Sequence, residues 1–114
     1  AVVDDHYGGM AFEAEGARCA AQLADPKITT MVMGNHGVLV IGRTVAETFN
    51  RLYYFERAAE TYIRALQTGR PLRVLPDDIA EKTAQEWEAY PGFAEAHLRE
   101  VRALLDASHP DYAG

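Results

Sequence analysis

The sequence predicts a mixed α/β fold, in the order helix, β-hairpin and three further helices. Two apolar runs rich in β-branched residues, 28–33 and 38–41, flank a four-residue loop that contains two glycines, which is typical of a hairpin. Apolar residues then recur at helical spacing from Val45 to Leu66. Because two strands alone are only marginally stable, we expect the remaining strands of the sheet to come from sequence outside this chain or from another chain.

The first helix is expected over residues 13–24. The segment 4–9 before it has the composition of a turn, with paired glycines at its end. Alanines together with Cys19 form one apolar stripe, and Pro26 ends the helix because proline lacks the amide donor that the next turn requires. Cys19 is expected to serve packing, and a single cysteine excludes an internal disulfide framework.

The second helix begins at a capping box, Thr44-Val45-Ala46-Glu47, and is expected to continue to Gly69. Its length would be roughly 36 Å at 1.5 Å per residue, more than a domain of this size covers. Part of it should therefore pack on something outside this chain. Its aromatic residues favour a contact with another subunit; they are Phe49, Tyr53, Tyr54, Phe55 and Tyr62.

Two shorter helices are predicted in the last third of the chain. One follows Pro76 and ends before Pro91, with two acidic residues favouring its N-terminus. The other covers residues 93–107, and the tail from Ser108 is expected to be irregular. His97 lies among charged neighbours in the last helix, so we expect it to be a solvated surface residue.

Length and composition are those of one globular domain over residues 1–114. The 114 residues are 48% hydrophobic and 25% charged, with a formal net charge of −6. An excess of acidic residues disfavours nucleic acid and anionic membranes as partners. No apolar run approaches the roughly 20 residues that span a bilayer, so a cytoplasmic location is expected.

His36 is the candidate for chemistry. It lies in the loop between the two predicted strands, with Asn35 before it and Gly37 after it. A neutral imidazole aimed from the end of a sheet could bind zinc or a similar divalent ion. Alternatively, Asn-His-Gly is simply a turn sequence, since asparagine and glycine accept unusual backbone angles, and local spacing alone favours this second interpretation.

The segment 33–49, MGNHGVLVIGRTVAETF, resembles the signature of the class II aldolase/adducin family. In that signature Asn-His-Gly follows an apolar strand, and a second strand leads to Gly-x-Thr-Val-x-Glu-Ala-Phe and a long helix. The segments 13–16 and 54–59 are also similar to the family, so the resemblance covers about residues 7–90. Thr48 departs from it, because alanine is usual there.

The resemblance implies a three-layer α/β/α domain, commonly a homotetramer with active sites between subunits. Many members are lyases that act on small hydroxy-carbonyl compounds or sugar phosphates. They bind a divalent metal, often zinc, through three histidines, and the metal polarises a substrate oxygen. His36 matches the last of these ligands, whereas no His-x-His pair for the other two occurs in the 114 residues. We therefore expect a C-terminal portion of the domain, which alone would hold metal poorly.

Several functions stay open within this resemblance. The leading one is a metal-dependent aldolase-like lyase, and a dehydratase, decarboxylase or epimerase would use the same scaffold. Adducin-like members are assembly modules without catalysis, so membership alone does not imply an enzyme. Some family aldolases use a tyrosine near the C-terminus of a neighbouring subunit as a proton donor, which makes Tyr112 a weak catalytic candidate beside its simpler interpretation as an anchor of the tail. No phosphate-binding loop or organic-cofactor motif is present.

Overall fold

The computed structural model describes residues 1–8 and 12–113. These residues form a mixed α/β structure with a three-stranded sheet and four α-helices, which confirms the predicted fold class. In chain order the elements are β1 (Val2–Asp4), α1 (Phe12–Gln22), β2 (Thr30–Met33), β3 (Gly37–Val40), α2 (Val45–Gln67), α3 (Asp77–Glu88), α4 (Phe93–Ser108) and a 3₁₀ helix (Pro110–Ala113).

The chain consists of two compact units, Ala1–Thr48 and Phe49–Gly114. The first holds the sheet, α1 and the start of α2, and the second holds the rest of α2 with α3, α4 and the 3₁₀ helix. One domain over residues 1–114 stays a prediction. None of the helices in the described part of the chain is both long enough and apolar enough to cross a membrane.

The sheet has the strand order β1-β2-β3. The predicted hairpin is confirmed, since β2 and β3 are antiparallel with Met31 opposite Leu39. The prediction that further strands would come only from elsewhere was wrong, because β1 lies parallel to β2 and pairs Val2 with Met31. A three-residue strand is too short to show an alternating pattern, and its parallel partner is distant in sequence. Asp4 is therefore the last residue of a strand rather than the start of the turn.

The helix α1 connects the two parallel strands, so β1, α1 and β2 form a βαβ unit. Met31 on the central strand is fully buried, and Ala46 at the start of α2 is nearly so. The prediction of a helix over 13–24 is confirmed, with boundaries that differ by one to two residues.

The N-terminus of α2 confirms half of the predicted capping box. The Glu47 amide donates to Thr44 Oγ1 over 3.1 Å, as expected. The Glu47 carboxylate accepts a hydrogen bond from the Arg43 amide (2.8 Å) and pairs with the Arg43 guanidinium. Thr48, the residue that departs from the family signature, donates its hydroxyl hydrogen to the Thr44 carbonyl.

In the second unit, α2 ends at Gln67 and is followed by Gly69 in the left-handed conformation predicted for a helix terminus (φ 66°). The expectation that His97 is a solvated surface residue was wrong. Its ring is partly buried against Phe49 and Tyr53, and Nδ1 lies 2.7 Å from Asn50 Oδ1. The sequence pattern predicted that Phe49 and Tyr53 lie on α2, but it did not indicate that α4 packs against them.

The tail was also predicted incorrectly. It forms one turn of 3₁₀ helix, Pro110–Ala113, instead of an irregular segment. The Tyr112 amide donates to the His109 carbonyl over 3.2 Å, and the Tyr112 hydroxyl donates to Asp106 Oδ1 over 2.7 Å. Proline is compatible with the first turn of a helix, which explains how this segment starts at Pro110.

Candidate functional site

His36 lies in the tight turn that joins β2 to β3. Its amide donates to the Met33 carbonyl over 3.0 Å. Asn35 adopts the left-handed conformation (φ 58°), which asparagine tolerates better than most residues, and Gly37 follows with φ 154°. The turn therefore holds the histidine at a defined place in the backbone.

This turn is also fixed to β1. The Gly34 amide donates to the Asp4 carbonyl over 2.8 Å. A Cβ atom on Gly34 would lie 3.2 Å from that carbonyl oxygen and 3.3 Å from Asp5 Cα, so the close approach of the two backbones favours glycine. His36 consequently lies at the edge where the parallel strands β1 and β2 both end, which is where α/β sheets commonly bind ligands.

The imidazole of His36 is exposed, and its described neighbours belong to the loop that follows β1. The Tyr7 ring packs against it in an edge-to-face arrangement, with 4.7 Å between ring centroids. The backbone of Gly8 passes on the Nδ1–Cε1 side, since a Cβ atom there would be 3.6 Å from Nδ1. An exposed ring supported on one side by an aromatic residue is accessible to a ligand.

A buried carboxylate, Asp4, lies at the end of β1. It accepts hydrogen bonds from Nε of Arg18 at 3.0 and 3.1 Å and from the His6 amide at 3.1 Å. Burial by itself raises the pKa of this carboxyl. The His6 hydrogen bond and the Arg18 guanidinium together outweigh that effect, so the pKa of Asp4 lies below its ordinary value of 3.8. Asp4 is therefore charged at neutral pH and serves as a fixed anchor.

Residues 1–63 match the family described as the class II aldolase and adducin N-terminal domain. The match covers more than half of the 114 residues and includes the sheet, α1 and most of α2. The chain belongs to this family.

A curated protein of Caulobacter vibrioides, named "Putative aldolase class 2 protein", is 33% identical to this chain over 76 residues. The similar region covers 66% of this chain and 29% of the relative, so the chain spans less than a third of that protein's length. No solved structure gives a significant match.

Class II aldolases are generally metal-dependent, and a metal ion needs several ligands placed together. Structural and catalytic zinc sites use three or four protein ligands. Within residues 1–8 and 12–113, no three His, Cys, Asp or Glu side chains are placed to hold a metal. The described part of this family member thus brings together fewer than three such ligands at any one place, and the metal-ligand role of His36 stays a prediction.

Tyr112, the weak catalytic candidate, lies in the second unit on the 3₁₀ helix. Its hydroxyl is engaged by Asp106, as described above. Its role in proton transfer also stays a prediction.

Sequence reasoning missed Asp4, Arg18 and Tyr7. The sequence offered only a partial signal: Glu15 and Arg18 are three residues apart and so lie on one face of α1, but the three-residue strand β1 has no recognisable pattern of its own. Recognising β1 would have placed Tyr7 and His36 at the same edge of the sheet.

Proposed function

We propose that this chain is part of a metal-dependent class II aldolase-like lyase, in which His36 is one of the metal ligands. The observation that carries the proposal is the exposed imidazole at the shared end of β1 and β2, on a turn defined by a left-handed Asn35. Family membership supports the same role. Zinc is the metal proposed, because neutral imidazole suits it.

The substrate class proposed is a small hydroxy-carbonyl compound, including sugar phosphates. The remaining metal ligands would be supplied by segments outside these 114 residues, since the described side chains do not complete a site. This chain's own contribution is to present one imidazole and to support it from the Tyr7 side. A cytoplasmic location, and the absence of nucleic-acid and membrane partners, stay predictions.

The test compares three forms of the full-length protein that carries this chain: wild type, His36→Ala and His109→Ala. His109 is a matched control because its side chain is also exposed and it lies on the tail. Metal content by elemental analysis and lyase activity on a panel of hydroxy-carbonyl compounds are measured. We expect loss of both in His36→Ala only. Unchanged metal content and activity in His36→Ala would refute the proposal.

The same panel separates an aldolase from a dehydratase, a decarboxylase or an epimerase on this scaffold. An aldolase, a dehydratase and an epimerase each give a different product from a hydroxy-carbonyl substrate, and a decarboxylase releases carbon dioxide from members of the panel that carry a carboxylate, so product analysis assigns the reaction. The metal-ligand role of His36 is common to all four.

A second candidate function is a non-catalytic assembly module of the adducin kind. It is favoured by the apolar residues left uncovered on the second half of α2, where Ile63 is 54% and Leu66 51% exposed. Full-length protein that associates stably but contains no metal and has no activity on the panel would support this candidate over the enzyme.

A further inference from the structure

An ion pair between the buried carboxylate of Asp4 and the half-buried guanidinium of Arg18 joins the end of β1 to α1. The Asp4 side chain is only 1% exposed, and Arg18 reaches both of its carboxylate oxygens through Nε. The thiol of Cys19 lies 3.8 Å from Asp4 Oδ2. A buried charge is costly unless it is paired and hydrogen-bonded, so these contacts hold Asp4 and Arg18 in one arrangement.

The same arginine also binds the loop of residues 5–8, which follows β1. Its Nη2 donates to the His6 carbonyl over 3.1 Å. Glu15, one helical turn earlier on α1, accepts a hydrogen bond from the Gly8 amide over 2.9 Å. One face of α1 therefore holds the loop at two points, on either side of Tyr7.

This loop forms one wall beside His36. Tyr7 contacts the imidazole edge-to-face, and Gly8, with φ 107°, brings the backbone to the ring in a conformation that favours glycine. A histidine on an exposed turn otherwise rotates freely about its side-chain bonds. Contact with the Tyr7 ring limits these rotations and so orders the imidazole before any ligand arrives.

We infer that Arg18 is a positioning residue for His36: by holding Asp4 and the His6 carbonyl together, it keeps Tyr7 packed against the imidazole. The inference rests on the proposed function in treating His36 as a ligand. The guanidinium is suited to this task because its planar fork donates in two directions at once, to a carboxylate and to a carbonyl.

The experiment is NMR spectroscopy of the full-length protein that carries this chain, without added metal. Nuclear Overhauser effects between the Tyr7 and His36 rings measure the contact between these two rings. Those between Met31 and Leu39 measure the pairing of β2 with β3. Three variants are compared with wild type: Arg18→Ala, Arg18→Lys and the control Arg64→Ala. Arg64 is exposed on α2 and pairs with Glu60, so its removal also deletes one charge and one ion pair.

In Arg18→Ala we expect the ring-to-ring effects to fall several-fold while the β2–β3 effects persist. Wild-type ring effects in Arg18→Ala would overturn the inference. If Arg18→Ala also loses the β2–β3 effects, the substitution has disturbed the sheet and the test uses Arg18→Lys instead. Lysine keeps the positive charge but lacks the planar guanidinium. In this variant we expect weaker effects between the Tyr7 and His36 rings and unchanged effects between β2 and β3. Ring effects equal to wild type in Arg18→Lys would then overturn the inference, and Arg64→Ala should match wild type.

Failure of this inference and failure of the proposed function give different results. Failure of the NMR prediction leaves His36 free to be a metal ligand without help from Arg18. Failure of the His36→Ala metal test leaves the ring contact and its dependence on Arg18 intact.

Discussion

Gly42 occupies a position where no side chain fits. A Cβ atom there would lie 2.5 Å from Thr48 Oγ1 and 2.7 Å from the Thr48 amide nitrogen, at the start of α2. We expect Gly42→Ala to lower the free energy of unfolding by about 1–3 kcal/mol, because the backbone must shift to admit a methyl group. Urea denaturation of the chain measures this change.

Gly16→Ala is the matched control for this prediction. Gly16 lies inside α1 with nothing within 4 Å of the added methyl group, so alanine should raise stability by up to about 1 kcal/mol. If both substitutions changed the free energy of unfolding equally, the close contact between Gly42 and Thr48 would not be the cause of the loss.

The ionisation of Asp4 should make the free energy of unfolding depend on pH. The pKa of its carboxyl is lower in the folded chain than in the unfolded chain, so the ionised form stabilises the fold. That stabilisation is complete above the unfolded-state pKa and is lost as pH falls from about 5 through the folded-state pKa.

Replacing Asp4 by asparagine removes this titrating group. The free energy of unfolding of Asp4→Asn should therefore be lower than that of wild type at neutral pH, and the difference should shrink as the solution is acidified. Urea denaturation at a series of pH values gives both curves. Curves that stay parallel down to acidic pH would show that Asp4 does not contribute.

At the scale of elements, the hairpin and the four helices were predictable because each carries a strong local signal. Pro26 and Gly69 mark helix ends, and Thr44 with Glu47 marks a helix start. The short strand β1 and the pairing of Arg18 with Asp4 were not predicted, since both depend on contacts between residues distant in sequence. For the candidate site, the sequence indicated His36 but not that Tyr7 and Gly8 lie beside its ring.

The cap of α2 provides a prediction at this scale. Thr44→Ala removes the acceptor of the Glu47 amide, so α2 should begin less stably and the free energy of unfolding should fall by about 1 kcal/mol. Thr44→Ser keeps the hydroxyl and should retain wild-type stability. Thermal or urea denaturation distinguishes the two variants, and equal losses in both would contradict the capping role.

For the molecule as a whole, the uncovered second half of α2 supports the proposal of a homo-oligomer, which the family resemblance implies to be a tetramer. Tyr62, Ile63 and Leu66 are each more than half exposed. Monomeric proteins seldom leave adjoining large apolar side chains uncovered, so we propose that a second copy covers them.

Ile63→Glu combined with Leu66→Glu should shift the full-length protein toward smaller species in sedimentation velocity, because burying two carboxylates in an apolar interface is unfavourable. Thr61→Glu is the control, since helical spacing places Thr61 on the opposite side of α2 from these residues. An unchanged sedimentation coefficient in the double variant would exclude this face from the interface.

The proposed function requires that His36 binds a metal ion in the full-length protein. A crystal of that protein grown with zinc and measured at the zinc absorption edge shows which residues bind the metal. We expect an anomalous peak about 2.0–2.1 Å from a ring nitrogen of His36. A zinc peak bound by other residues, with the His36 ring outside its coordination sphere, would contradict the claim.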